Sequence, residues 1–290
     1  MSTRISVVVI TRDRRDQLLD TLQRLVCAHP HVPMIVVDNG SSDGTAARVA
    51  HAFPHVELVA LRRNAGSAAR TVGVRRARTP FVAFADDDSW WADGALLQAE
   101  RHLDANPDVA LVCGRILVGP LEWLDPTCVQ MARSPLPYVA GVGPVVLGFV
   151  ACAAVVRREA YLRAGGFHRR FGVGGEEQLL AIDLAGNGWL CAYADDVVAH
   201  HDPDPGVARP GRRGVQTRND LWTAWLRRRP GVAIGAFAGA LRSAAGDDVT
   251  RAALLDALRG LWWVLPERRR ISAELEHALD QLDRTRTDRT

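Results

Sequence analysis

Three consecutive carboxylates, Asp86, Asp87 and Asp88, stand at the end of the apolar run FVAFA, residues 81–85. A run of that length reads as a buried strand. If strand alternation continues into the triplet, Asp86 and Asp88 point the same way and share one target. In an open α/β sheet, the crevice at the carboxyl ends of strands is the usual ligand site. Hard divalent cations take one or two carboxylates together with phosphate oxygens. The spacing therefore suits a metal-bridged nucleotide diphosphate. Without context the same triplet is equally a solvated turn ahead of a helix near Asp93, because Asp favours turns and helix starts. A second acidic pair, Glu176 and Glu177, follows the glycine-rich GVGG and precedes Leu179, Leu180 and Leu184. That places it in the first turn of a helix, where acidic residues also complement the helix dipole. Residues 191–201, CAYADDVVAHH, read as a last strand ending in His200 and His201.

Positioning these groups requires a regular scaffold, and the chain supplies one. A strand at 5–10 leads into a helix whose Leu18, Leu19, Leu22, Leu25 and Val26 repeat at helical spacing. A second strand, 34–38, ends in NGSSDGT, a turn signal before a helix around 43–52. Then come a strand at 56–61, a helix at about 65–77 and the strand before the triplet. Short strands alternating with helices predict a mostly parallel sheet with right-handed crossovers. Its carboxyl-end loops hold residues 11–13, 38–42, 64–70 and 86–88. Further on, 93–102 reads as helix, 109–119 as strands with a bend, and 120–145 as irregular and rich in Pro and Gly. The stretch 138–156, almost long enough to span a bilayer, carries three glycines and Pro144, so a buried loop and strand is expected. After Pro203 the pattern changes to amphipathic and apolar helices.

Composition narrows the chemistry. All 36 basic residues are arginine, which excludes P-loop, Schiff-base and lysine-nucleophile mechanisms. Five widely spaced cysteines without a CxxC pair argue against a zinc site or a disulfide framework and fit a reducing cytosol. The first strand follows the N-terminus directly, so no signal peptide is expected. A net charge of +3, with arginines not interleaved with any nucleic-acid motif, gives no reason to expect RNA or DNA.

Taken in order, VVVITRDR, VVDNGSSDGT, NAGSAARTVG, FADDD, GGF, GGEEQLL and VVAHH resemble the family 2 glycosyltransferases over roughly residues 5–201. Each motif alone is weak; seven in order are specific. The resemblance implies a GT-A fold, an α/β architecture with a mostly parallel central sheet flanked by helices, here followed by a C-terminal helical extension. The implied division is a GT-A domain at 1–205, with a nucleotide-sugar part at 1–118 and an acceptor-side part at 119–205, and an extension at 206–290. The implied activity is inverting transfer of a sugar from a nucleotide diphosphate, usually UDP-linked, to a hydroxyl, with a divalent metal, Mn or Mg. Carried onto this chain, Thr11, Arg12 and Asp13 line the nucleoside pocket and Asp38 contacts the base. Asn64, Gly66 and Arg70 close on the nucleotide. Asp86 lies near the ribose, with Asp87 beside it in the nucleotide-binding set. Asp88 binds the metal and His200 completes the metal or diphosphate site. Of the acidic pair, the second position is the family's usual base, so Glu177 is favoured over Glu176, although Glu replaces the commoner Asp.

Two alternatives remain open on sequence alone. A sugar nucleotidyltransferase also uses an α/β sheet with acidic metal ligands, but that family has a glycine-rich, arginine- and lysine-containing loop after the first strand, whereas this loop is TRDRRD, with no glycine and no lysine. A nucleotide-sugar-binding protein without catalysis is the other. The sequence leaves the sugar, the acceptor (saccharide, lipid-linked or small molecule) and the oligomeric state undefined. A cytoplasmic location is expected, with peripheral contact at the inner membrane face if the tryptophans and arginine clusters of the C-terminal helices meet anionic lipid.

Overall fold

The computed structural model describes residues 4–204, 206 and 211–287. Eleven strands are β1 (Ile5–Thr11), β2 (Met34–Asp38), β3 (Glu57–Ala60), β4 (Phe81–Asp86), β5 (Ser89–Trp91), β6 (Val109–Val118), β7 (Trp123–Leu124), β8 (Tyr138–Val139), β9 (Gly143–Pro144), β10 (Ala154–Arg157) and β11 (Leu190–His201). Helices α1 (Arg15–Ala28), α2 (Thr45–Ala52) and α3 (Ala69–Arg76) join the first four strands, and α4 (Ala95–Ala105) follows β5. Then come α5 (Pro126–Ala132), α6 (Arg158–Arg163) and α7 (Glu176–Gly186). The chain closes with α8 (Arg212–Arg227), α9 (Pro230–Ala244), α10 (Asp248–Arg259), α11 (Leu261–Val264) and α12 (Ala273–Thr287).

One nine-stranded sheet organises the molecule, in the order β3-β2-β1-β4-β10-β6-β11-β5, with β7 added to β6. Strands β1 to β4 run parallel to one another, as do β6 and β11. Strand β10 runs antiparallel between β4 and β6. Both faces are covered, so the strands are continuous apolar runs: Val7, Val8, Val9, Phe81 to Ala85 and Val109 to Val112 are fully buried. Reversing the strand order after β1 leaves a crevice above the carboxyl ends of β1 and β4, which is where the acidic triplet emerges.

The expected bend in 109–119 is absent; β6 is one strand, and its register slips against β11 between Ala194 and Val198 instead. The apolar stretch 138–156 is spent as core: Val145 bridges Ala192, and Val146, Leu147 and Phe149 are buried. Among the described residues no helix is long and apolar enough to cross a membrane. Helices α8, α9 and α10 pack on one another around a second core of Leu221, Trp222, Leu226, Leu254 and Trp263. Helix α12 returns to the first core through Leu279.

Candidate active site

Strand β4 ends at Asp86, and the chain turns through Asp87 and Asp88 before β5 begins at Ser89, whose hydroxyl accepts the Asp86 N–H at 2.7 Å. Strand alternation therefore does not carry through the triplet: Asp86 and Asp88 line the same cleft but pair with different arginines, Arg70 and Arg14. Asp86 pairs with the guanidinium of Arg70. Asp87 accepts from Thr11 Oγ1 at 3.0 Å and Arg14 at 2.6 Å. Asp88 accepts from Arg14 at 2.9 Å and lies 3.4 Å from His201 Nε2. The sequence reading missed Arg14, which bridges two buried carboxylates from the first turn before α1; a cation two residues beyond Arg12 in the first loop was the available signal.

Burial sets the protonation of this triplet. It pushes Asp87 up to about 7, because Arg14 only partly offsets the loss of water and the neighbouring carboxylates add to it. Burial acts on Asp88 in the same direction, but His201 and Arg14 outweigh it and hold the carboxyl below its ordinary range. Asp88 is thus ionised.

The triplet opens on a cleft of about 1760 Å³, larger than the roughly 300–1,000 Å³ of ordinary small-ligand sites. Thr11, Arg12, Asn64, Gly66, Arg70 and Asp86 to Asp88 line its sheet side, and Glu176 and Glu177 its other side. Between the two sides lies Arg70, 4% exposed, with Asp86, Glu176 and Glu177 keeping it charged despite its burial. Phe167 of the GGF turn lies 5.6 Å beneath its guanidinium. Asp13 and Asp38 do not line the cleft. Asp13, at φ 51°, accepts the Ser42 N–H at 2.7 Å, and Asp38, buried, accepts the Ser41 N–H at 3.0 Å, so both carboxylates shape the 38–42 loop.

The acidic pair is asymmetric. Glu176 is 2% exposed and its carboxylate folds back onto the Gly174 N–H. Glu177 keeps partial exposure toward the cleft, while burial and the adjacent Glu176 raise its carboxyl well above the ordinary range. The loop bearing both is held by α8: Asn219, fully buried, donates to the carbonyls of Phe171, at 2.9 Å, and Gly174. On the other flank the Ser67 N–H donates to Gly172 O at 3.1 Å. Gly66 sits so close to Gly172 that a Cβ would lie 2.7 Å from its Cα.

The two histidines part company. His200 stacks on Trp90 at 5.4 Å and faces Glu122 at 3.5 Å, outside the cleft, whereas His201 lines the cleft beside Asp88. Adjacent residues on a strand face opposite ways, so only one can reach Asp88. Among the described residues no three His, Cys, Asp or Glu side chains gather to cage a metal. Asp88 and His201 still offer one oxygen and one nitrogen at the cleft floor. The carboxylate oxygen suits Mg or Mn, which complete their shell with diphosphate oxygens and water, whereas the imidazole nitrogen suits softer divalent ions better than Mg.

Residues 6–163 match glycosyl transferase family 2. The chain belongs to this family. It is 35% identical over 105 residues to TuaG of Bacillus subtilis (strain 168), named as a glycosyltransferase of teichuronic acid biosynthesis; the match spans 34% of this chain and only 40% of that relative. Among solved structures, the mannosyltransferase PcManGT from Pyrobaculum calidifontis, in complex with GDP-Man and Mn2+, superposes with a TM-score of 0.57 at 22% identity. It covers 97% of this chain and 75% of that one. Residues 1–349 of S. aureus TarS with UDP-GlcNAc give a TM-score of 0.59 at 16% identity, covering 76% of this chain and 66% of that one. These likenesses establish the GT-A-type fold of the family 2 chain.

Proposed function

We propose that this family 2 protein transfers a sugar from a nucleoside diphosphate donor, UDP-linked in the first instance and GDP-linked in the second, to an acceptor hydroxyl with inversion. The observation that carries this reading is the convergence of Asp86 to Asp88 and Glu176-Glu177, some ninety positions apart in the chain, on one cleft around Arg70. The nucleoside lies over the loops bearing Thr11, Arg12, Asn64 and Gly66, on the sheet side. Arg14 holds Asp87 and Asp88 in fixed orientation, and Asp88 with His201 would hold a divalent cation, which when bound neutralises charge on the leaving diphosphate. His201 takes the role expected of His200.

Glu177 is the general base. It faces the cleft, its raised pKa suits proton abstraction near neutral pH, and positioned bases contribute about 10²–10⁴ in rate. Glu176, tied to the Gly174 N–H, orients the loop. The reading gives one carboxylate to the acceptor proton and none to the sugar as nucleophile, which is a single displacement, the inverting logic. Family membership sets aside the nucleotidyltransferase alternative, and the partly exposed Glu177 argues against a binding protein without catalysis. The test is thermal melting with UDP, GDP, dTDP, CDP and ADP, each with and without Mn²⁺ or Mg²⁺. A ligand at a hundred times its Kd adds about 2.7 kcal/mol. Stabilisation by one nucleotide only with metal, lost in Asp88→Ala, supports the donor site; no response to any nucleotide overturns it.

A further inference from the structure

The helices after residue 211 carry a surface that neither sheet nor cleft uses. Leu255 and Leu258 on α10, Trp262 on α11 and Leu265 just after it recur at spacings of three, four and three across the turn at Gly260. All four are exposed, Trp262 by 68%. Their inward neighbours Leu254, Ala257, Trp263 and Val264 fill the second core, so the outward row is surplus to folding. Helix α9, packed on α8 and α10, carries no charge from Pro230 to Leu241, and its Ile234 and Leu241 are exposed as well. Outward apolar area of this extent marks an interaction surface.

Charge identifies the partner. Residues 212–270 contain 12 arginines and 5 acidic residues, whereas the whole chain nets only +3. Pairing spends part of both: Asp247, Asp248 and Asp256 meet Arg213, Arg251 and Arg259, while Arg227, Arg228 and Arg229 meet Asp183, Glu276 and Asp280 and are not part of the outward charge. Arg242, Arg269 and Arg270 are exposed. Arg170 connects this face to the site: it lines the cleft, stands 4.8 Å over Trp262, and its buried Nε has no hydrogen-bond partner. A two-fold contact with a second copy would set this arginine-rich surface against itself, which like charges oppose.

We infer that the α10–α11 face docks on an anionic lipid bilayer, with Trp262 and the leucines entering the headgroup boundary and the arginines meeting lipid phosphates. Arg170 then places the cleft mouth at the lipid surface, so an acceptor is delivered from the membrane. That second step rests on the transferase reading; the docking does not.

The experiment is co-sedimentation of the full chain with phosphatidylcholine vesicles and with vesicles also containing phosphatidylglycerol, at low and high salt. Binding is expected to the anionic vesicles and to weaken with salt. Leu258→Asp with Trp262→Asp lowers it at least roughly tenfold. Arg269→Ala with Arg270→Ala lowers it about fivefold per arginine, on anionic vesicles only. Both variants keep the wild-type melting temperature and nucleotide response, because neither pair lines the cleft. No binding to anionic vesicles, or equal binding by the apolar-face variant, overturns the inference. So does a dimer that Trp262→Asp dissociates, which assigns the face to a second copy. Docking without turnover leaves the inference standing and removes the transferase reading alone.

Discussion

At Glu177 two pH dependences run in opposite directions. Its carboxyl is raised above its ordinary 4.5 by burial and by Glu176. Folding therefore favours the protonated form, and the associated stability is present at low pH and lost as pH rises through the folded value. Activity as a base needs the ionised form, so kcat/KM rises with pH across the same interval while melting temperature falls. Glu177→Gln is expected to remove about 10²–10⁴ of turnover, to flatten that part of both profiles and to leave nucleotide binding intact. A variant that loses donor binding with turnover contradicts the assignment. Arg14 is the second decisive residue. Arg14→Ala strips Asp87 and Asp88 of the cation they share, at a cost of about 3 kcal/mol in urea unfolding. Unchanged stability would show that the bridge is not maintained in solution. The types and order of the acidic residues were legible in the sequence. Their partners were not, because the turn after Asp86 cancels the strand alternation from which direction was inferred, and because His200 and His201 differ only in which face of β11 each takes.

Elements positioned by local pattern were readable, and those positioned by distant contact were not. Strands β1, β2 and β4 and helix α1 follow from apolar period and turn chemistry, since both faces of the sheet are covered. The acidic pair after the glycine-rich loop took its catalytic role only from the family resemblance, and nothing in the loop's sequence shows that Asn219, in another helix, fixes it. Asn219→Ala removes the Asn219 donor from the Gly174 carbonyl, leaves that of Phe171 to Arg218 alone, and loosens the loop leading to Glu177. The expected outcome is a fall in kcat with nucleotide affinity retained, separable by titration and turnover on one preparation; an equal loss of both would assign Asn219 to general folding. Gly66 joins the 64–70 loop to the same element. In Gly66→Ala the Cβ meets Gly172 and φ of 61° is strained, about 1–3 kcal/mol, so nucleotide affinity falls together with stability.

Across the whole molecule, a division near residue 205 separates the motif-bearing part from the helices in sequence, yet the packing crosses it. Phe171 and Leu179 belong to the second core with Trp222 and Trp263, and Leu279 of α12 lies in the first. Periodicity finds such helices without saying what they cover, which is why the extension was legible as helical and its attachment was not. Arg228 is the fastening: 6% exposed, it reaches Glu276 at 2.7 Å, Asp280 at 2.8 Å and Asp283 at 3.0 Å, joining the end of α8 to α12. A buried ion pair adds little over well-packed apolar residues, but removing one member leaves the other charge stranded, at roughly 3–5 kcal/mol. Glu276 is itself buried, and the Arg229 N–H at 3.1 Å only partly replaces what Arg228 supplies. Because Leu282 and Asp283 of α12 also line the cleft, releasing this helix changes the site's wall as well as its stability. Arg228→Ala should therefore lower the unfolding midpoint and expose α12 to hydrogen exchange before the sheet opens. Exchange in α12 that stays synchronous with the sheet would mean that Leu279 and its apolar neighbours, rather than the ion cluster, hold the helix.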